Sequence, residues 1–232
     1  MIGNGRENCQ PTLVIVAALN EEEGIGPTLT EIKNHLDMPV FLVVDGKSKD
    51  GTAKIAEAMG VEVIVQKDSG KGDAIATALK HTRSLDIKYV VFIDADYTYP
   101  AEYLQKMIKI LDENPNVGMV CGNRFNNHFH LNEMHNLFYI GNRMLASVHN
   151  MFNGVDLRDP LTGLRVVRWE IVKDWRPKSK GFDVEVELNH FVEKKGFNIA
   201  EIPIYYRRRL GEKKLKLRHG FAILRRILTE NI

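Results

Sequence analysis

Asp94-Ala95-Asp96 sets two carboxylates one residue apart, directly after an apolar run from Tyr89 to Ile93. In a chain with 13 aspartates chance alone yields about 0.7 such triplets, so position rather than pattern makes this one informative. Two carboxylates at the carboxyl end of a buried strand repel each other unless a cation or hydrogen-bond donors hold them, and such ends are where α/β sheets bind ligands. Carboxylate oxygens with a diphosphate nearby suit Mg2+ or Mn2+. Other strand ends carry polar groups too. Asn20-Glu21 follows the run Leu13 to Leu19, Asp45 follows Val40 to Val44 and leads into Ser48, Asp50, Gly51 and Thr52, and Gly70-Lys71-Gly72 lies in the loop after Val61 to Val65. Each alone reads as a turn or a helix cap. Four strand ends converging on one crevice read as a binding site. Gly-Lys-Gly lacks the spacing of a phosphate-binding P-loop and no Gly-x-Gly-x-x-Gly follows a strand, so ATPase and dinucleotide readings fall.

The elements that must position these residues alternate along the first half. The β-branched runs named above are separated by amphipathic stretches at Ile25 to Leu36, Thr52 to Met59, Ala74 to Leu85 and Ala101 to Leu111, and the series closes on Val117 to Cys121. Continuous apolar strands separated by helices predict an α/β fold with a mostly parallel central sheet covered on both faces. The second half reads as a long, charge-poor helix from Asn132 to Phe152, a turn at Asp159-Pro160, a strand Leu164 to Arg168, a helix Val184 to Lys195, a strand Asn198 to Tyr206 and a closing helix from Arg218 to Thr229. With no repeat or linker in view, residues 11–232 are expected to form a single domain behind a loose tail at 1–10.

Composition sets the outer limits. At 232 residues, 44% hydrophobic and 27% charged, the chain is an ordinary globular one, and no apolar run approaches the roughly 18 residues needed to cross a bilayer. The two cysteines, Cys9 and Cys121, exclude a disulfide scaffold and a cysteine-based zinc site, which makes the cytoplasm the default compartment. Charge is uneven. Arg207 to Arg226 holds nine Lys or Arg against Glu212 alone, a local +8 in a chain whose total is +2. Such a segment attracts phosphates of any origin, or is simply a solvated face. It lacks the interleaved aromatics of a nucleic-acid binder, so no nucleic-acid partner is expected.

The motifs together resemble the family 2 inverting glycosyltransferases of GT-A fold, most of all the dolichyl-phosphate mannose and glucose synthases, from about Thr12 to Leu228. Ala18-Leu19-Asn20-Glu21 and Val44-Asp45 through Asp50-Gly51-Thr52 are similar to that family's nucleotide segments, with Gly46 where many relatives carry a second Asp, and Asp94-Ala95-Asp96 to its metal-binding DxD, with Thr98 where many carry Gln. Gly122-Asn123-Arg124-Phe125, Gly141-Asn142-Arg143, Asp159-Pro160-Leu161-Thr162-Gly163-Leu164-Arg165, Gly181-Phe182 with Glu185 and Glu187, and Arg208 through Gly211, Lys214 and Leu215 resemble motifs of the lipid-phosphate branch.

That resemblance implies transfer of a hexose from a nucleoside diphosphate sugar, GDP-mannose or UDP-glucose, to dolichyl or polyprenyl phosphate. Asn20, Glu21, Asp45, Lys71 and Asp94 would bind the donor, with a divalent metal, Mg2+ or Mn2+, on Asp94 and Asp96. Arg124, Arg143, Arg208 and Lys214 would hold the acceptor phosphate. Asp96, Arg124 and Asp159 would be catalytic, Asp159 by positioning, or as a base were the acceptor a hydroxyl. The charge-poor and C-terminal helices imply a peripheral place on the cytoplasmic face of a membrane, against lipid or a membrane-embedded partner. Two other readings stand beside this one: a transferase to a hydroxyl acceptor, and a non-catalytic subunit that binds nucleotide sugars. A nucleotidyltransferase is disfavoured, because Asn20-Glu21-Glu22-Glu23 is acidic where a glycine-rich, Arg-bearing loop would be needed.

Overall fold

The computed structural model describes residues 11–125, 137–153, 155–214 and 217–229. The expected tail at 1–10, Cys9, the first five residues of the expected helix from Asn132, and Leu215 lie outside them. Seven strands form one sheet in the order β3-β2-β1-β4-β6-β5-β7. They are β1 Thr12–Ala18, β2 Val40–Asp45, β3 Glu62–Val65, β4 Tyr89–Asp94, β5 Val117–Asn123, β6 Arg165–Arg168 and β7 Asn198–Pro203. The helices are α1 Glu22–His35, α2 Thr52–Ala58, α3 Lys71–Thr82, α4 Leu104–Glu113, α5 Leu137–Asn153, α6 Trp169–Val172, α7 Val184–Lys194 and α8 Leu217–Thr229.

Strand β1 shows why the sheet is buried on both sides. Leu13 and Ile15 face one hydrophobic cluster, with α3 and α7, while Val14 and Val16 face the other, with α1 and α4, and all four are essentially inaccessible. Such two-sided burial is what a continuous apolar strand predicts. The chain moves from β1 outward through β2 to β3, then crosses back to β4 on the other side of β1. The order therefore reverses between β1 and β4, which opens a crevice beyond their carboxyl ends. Strand β6 is antiparallel to both β4 and β5. Its direction matters for function, since the loop entering an antiparallel strand lies at the same edge as the loops leaving its parallel neighbours. Asp159 is thereby brought to the edge that carries Asp94.

Several boundaries differ from the sequence reading. Helix α3 starts at Lys71, so Gly70-Lys71-Gly72 forms its first turn rather than a loop. Gly70 adopts φ +95°, and a Cβ on Gly70 or Gly72 would overlap the carbonyls of Lys180 or Ser179, so only glycine lets those segments close. The segment after Ala101 is a 3-10 turn, Ala101–Tyr103, before α4, and β7 ends at Pro203, short of Tyr206. The short helix α6 is not legible in the sequence pattern. Cys121 is a buried free thiol whose pKa burial pushes up to about 12.

Glu193 on α7 gives a prediction of its own. Burial pushes its carboxyl up to about 7, and its Oε1 accepts no hydrogen bond from a described residue. The folded protein then holds a proton that the unfolded chain releases above pH 4.5, so stability falls as pH rises from 4.5 through about 7. Glu193→Gln should stabilise the fold at pH 8 by about 1 kcal/mol after allowing for partial exposure, raising the thermal midpoint there, and leave it unchanged near pH 4. Differential scanning fluorimetry across that range checks both halves.

Candidate active site

Three loops at the crevice turn on non-glycine residues with positive φ: Asn20 at 50° after β1, Lys47 at 67° after β2 and Tyr97 at 65° after β4. Left-handed backbone at such residues costs energy and persists only where the surroundings impose it, as at binding sites. The first two loops are laced together. Asn20 N–H donates to Ser48 Oγ at 2.8 Å, Lys49 N–H to Asn20 Oδ1 at 2.8 Å, Glu21 N–H to Thr52 Oγ1 at 2.8 Å and Ser48 N–H to Asp45 Oδ2 at 2.9 Å. Asp45 Oδ1 stays buried with no donor among the described residues.

The Asp94-Ala95-Asp96 loop is fixed from behind by α1, where a Cβ on Gly24 would stand 2.5 Å from Ala95 O. Its two acids are held differently. Asp94 Oδ1 takes a 2.6 Å bond from Lys71 Nζ, whose other contact is Glu185 Oε1 at 2.7 Å. Burial alone would lower the Lys71 pKa, but Asp94 and Glu185 outweigh it and keep the ammonium charged. Asp96 Oδ1 accepts from Thr98 Oγ1 at 2.6 Å and Thr98 N–H at 3.2 Å, while Oδ2 lies 3.5 Å from Arg209 Nη2. Burial and repulsion from Asp94 push the Asp96 pKa up despite these partners. Arg209 also bonds Glu21 Oε1 at 2.8 Å, and Lys214 reaches the same oxygen at 3.2 Å and Asn20 O at 2.6 Å. Burial raises Glu21, which the two cations only partly offset.

A second centre adjoins the first. Asp159 is fully buried, and Arg124 grips it with Nε on Oδ2 at 2.7 Å, Nη2 on Oδ1 at 2.8 Å and its own backbone N–H on Oδ2 at 3.0 Å. The Arg124 guanidinium lies over the rings of Phe125 and Tyr206, at 5.5 and 5.4 Å. The two centres meet at Gly163, whose N–H donates to Tyr99 Oη at 2.7 Å and where a Cβ would overlap the Asp94 carboxylate.

Of the residues expected from sequence, Asn20, Glu21, Asp45, Lys71, Asp94, Asp96 and Lys214 line the first centre, and Arg124 and Asp159 form the second. Arg143 is exposed at its rim, with Nη1 on Arg158 O at 3.4 Å. Arg208 is exposed, and its neighbour Arg209 is the one that turns into the crevice. Lys214 and Arg208, expected together, are thus apart: Lys214 sits on Glu21 while Arg208 faces solvent. Spacing in Arg207-Arg208-Arg209 cannot say which arginine faces inward. Nor is the basic segment a solvated patch: Arg207 pairs with Glu31, Arg209 and Lys214 with Glu21, and Arg226 with Asp183 at 2.9 Å, so four of the nine cations neutralise acids.

Among the described residues, no three His, Cys, Asp or Glu side chains cluster in a way that could hold a metal ion. The donor set still fits a divalent cation of the hard, oxygen-seeking kind. Among the described residues Asp96 Oδ2 has only the 3.5 Å contact with Arg209, a cation would relieve the repulsion from Asp94, and Mg2+ commonly takes one or two carboxylates with phosphates and water completing the shell.

A family model described as glycosyl transferase family 2 matches residues 13–176. The chain is 34% identical over 204 residues to a dolichyl-phosphate hexose transferase of Haloferax volcanii, covering 87% of this chain and 85% of the relative. It is 26% identical over 228 residues to a dolichol-phosphate mannosyltransferase of Pyrococcus furiosus, covering 92% of this chain and 62% of the other. Among solved structures, glucosyl-3-phosphoglycerate synthase of Mycobacterium tuberculosis, in complex with Mn2+, UDP-glucose and phosphoglyceric acid, superposes with a TM-score of 0.73 at 22% identity, covering 96% of this chain and 78% of that one. That likeness shows a shared fold, the GT-A arrangement.

Proposed function

The chain belongs to glycosyl transferase family 2 and is a glycosyltransferase, and from that premise we propose that it moves a hexose from a nucleoside diphosphate sugar to a polyprenyl or dolichyl phosphate, inverting the anomeric carbon. The observation that carries the choice of acceptor is the state of Asp159. Both its oxygens are engaged by Arg124 and the carboxylate is inaccessible, so it is poorly placed to deprotonate a hydroxyl. A phosphate monoester has a second pKa of about 6 and is already largely ionised at neutral pH, so it needs no base. The similarity to the dolichyl-phosphate hexose transferase of Haloferax volcanii supports this reading.

In this proposal Asn20, Glu21, Asp45, Lys71 and Asp94 receive the donor, the unpaired Asp45 Oδ1 suiting an N–H of the nucleobase. Asp94 and Asp96 would hold Mg2+ or Mn2+, which supplies charge neutralisation to the departing diphosphate. Arg209 and Lys214 add fixed positive charge beside the same acids. Arg124, positioned by Asp159, meets the acceptor phosphate with its remaining N–H groups, and Arg143 and Arg208 approach it from the surface.

A lipid acceptor requires a lipid surface, and two helices supply the apolar side chains. Six of the twelve exposed large apolar residues among those described lie on α5 and α8: Ile140, Met144, Met151, Phe152, Phe221 and Leu228. The inner faces of the two helices meet α7 through Leu145, Ile223, Ile227 and Val186. No helix among the described residues is long and apolar enough to cross a membrane. The exposed apolar side chains of α5 and α8 support our proposal of a peripheral place, on the cytoplasmic face of a membrane. Met144→Ser with Phe221→Ser should cut co-sedimentation with anionic vesicles about tenfold or more and leave the thermal midpoint in place; undiminished binding would remove this surface from the proposal.

The deciding experiment is transfer of labelled sugar from GDP- and UDP-sugars to a short polyprenyl phosphate, with Mn2+ or with EDTA. Label in the organic phase that EDTA abolishes is the expected result. A donor that binds and is slowly hydrolysed, with no lipid labelled, would overturn the acceptor assignment and favour a hydroxyl acceptor.

A further inference from the structure

The turn that carries Asp159 has almost no backbone partners of its own: within it, Thr162 N–H reaches Asp159 O at 3.3 Å. Side chains from the surrounding elements hold the rest. Asn150 of α5 brackets Leu157 through both its N–H and C=O, at 3.2 and 2.8 Å. Arg165 of β6 donates to Pro160 O at 2.7 Å and Thr162 O at 2.9 Å, and Asn189 of α7 donates to Pro160 O at 3.0 Å. Glu201 of β7 accepts from Arg158 N–H with Oε2 and from Asp159 N–H with Oε1, both at 2.7 Å. A backbone so held has lost the freedom a surface loop normally keeps.

We infer that Glu201 is a positioning residue of the acceptor centre: by gripping two successive N–H groups at Asp159 it fixes that carboxylate, and through it the Arg124 guanidinium. Glu201 itself touches neither substrate. Its two oxygens meet two successive N–H donors, and the Asp159 carboxylate then presents both oxygens to Nε and Nη2 of Arg124. Only the acceptor role given to Arg124 rests on the function proposed above; the mechanical link from Glu201 to Arg124 does not.

Glu201→Gln tests the link. Glutamine keeps the shape and one acceptor oxygen but turns an amide N–H2 toward the second backbone donor. With polyprenyl phosphate as acceptor, the expected result is a fall of about tenfold or more in kcat/KM for the acceptor, with donor affinity and thermal midpoint close to those of the parent. Donor affinity falling in step with acceptor use, or unchanged acceptor kinetics, would overturn the inference.

A second readout does not depend on which acceptor is right. The Arg124 Nε–H resonance, identified by its loss in Arg124→Lys, should be protected from solvent exchange in the parent and lose that protection at least tenfold in Glu201→Gln. Retained protection overturns the positioning role whatever the acceptor. A parent protein that labels no lipid overturns the function alone. Should Glu201→Gln fail to fold, Glu201→Asp, one methylene shorter, is expected to give a smaller loss of the same two signals, and its matching the parent in both would equally overturn the inference.

Discussion

Asp96→Asn is expected to lower kcat by about 10²–10³ and, at the same time, to make the protein more stable. The activity loss follows from how the crevice acids are committed. Lys71 occupies Asp94 Oδ1 and Thr98 occupies Asp96 Oδ1, so it is the Oδ2 atoms that are left to face a cation, with Asp96 Oδ2 also balancing Arg209 at 3.5 Å. The stability gain follows from the raised pKa. Burial and the charge on Asp94 disfavour ionised Asp96 in the folded state, so the parent loses stability as pH rises through 3.8 toward the raised folded value, and a neutral amide escapes that loss. The amide oxygen still accepts from Thr98. Steady-state kinetics and a thermal melt at neutral pH test both; an active variant, or one with a lower midpoint, contradicts the reading of this loop.

Lys71→Met is the substitution expected to cost the most stability, about 3–5 kcal/mol. Methionine matches the reach of lysine without its charge, and leaves Asp94 and Glu185 facing each other across a site where Glu185 is 7% exposed. Removing one partner of a buried ionic cluster leaves the others uncompensated, so Glu185→Gln in the same chain should restore part of the loss. Urea unfolding of the single and double variants at neutral pH measures this. A variant of parental stability at neutral pH would mean that Lys71 is not the hub that links α3, β4 and α7.

Much of this was legible in the sequence because it rests on local pattern. Apolar runs marked the strands, and the polar groups that follow them marked the crevice, since a strand's carboxyl end is fixed by its own residues. What stayed hidden depends on distant partners. That Arg209 rather than Arg208 turns inward is decided by Glu21 and Asp96, and the pairing of Arg207 with Glu31 spans 176 positions. The glycines beside Lys71 read as a loop because the Lys180 backbone that requires them lies far along the chain. Glu201 gave no signal, since an acid in a strand of mixed burial looks like a solvent-facing residue until the turn it holds is seen.

The ties between the 205–214 segment and the β1 and β4 loops bear on how the protein is made. Arg207 N–H reaches Thr98 O, Leu210 N–H reaches Asp96 O, and Arg209 and Lys214 neutralise Glu21. During synthesis Glu21 and Asp96 emerge first and wait for Arg209, 188 and 113 residues further on, to balance them. Contacts so remote in sequence form late and slowly. A nascent chain stalled before residue 207 would carry the sheet without these counter-charges, so the acids at its carboxyl edge are balanced only once Arg209 and Lys214 have been made.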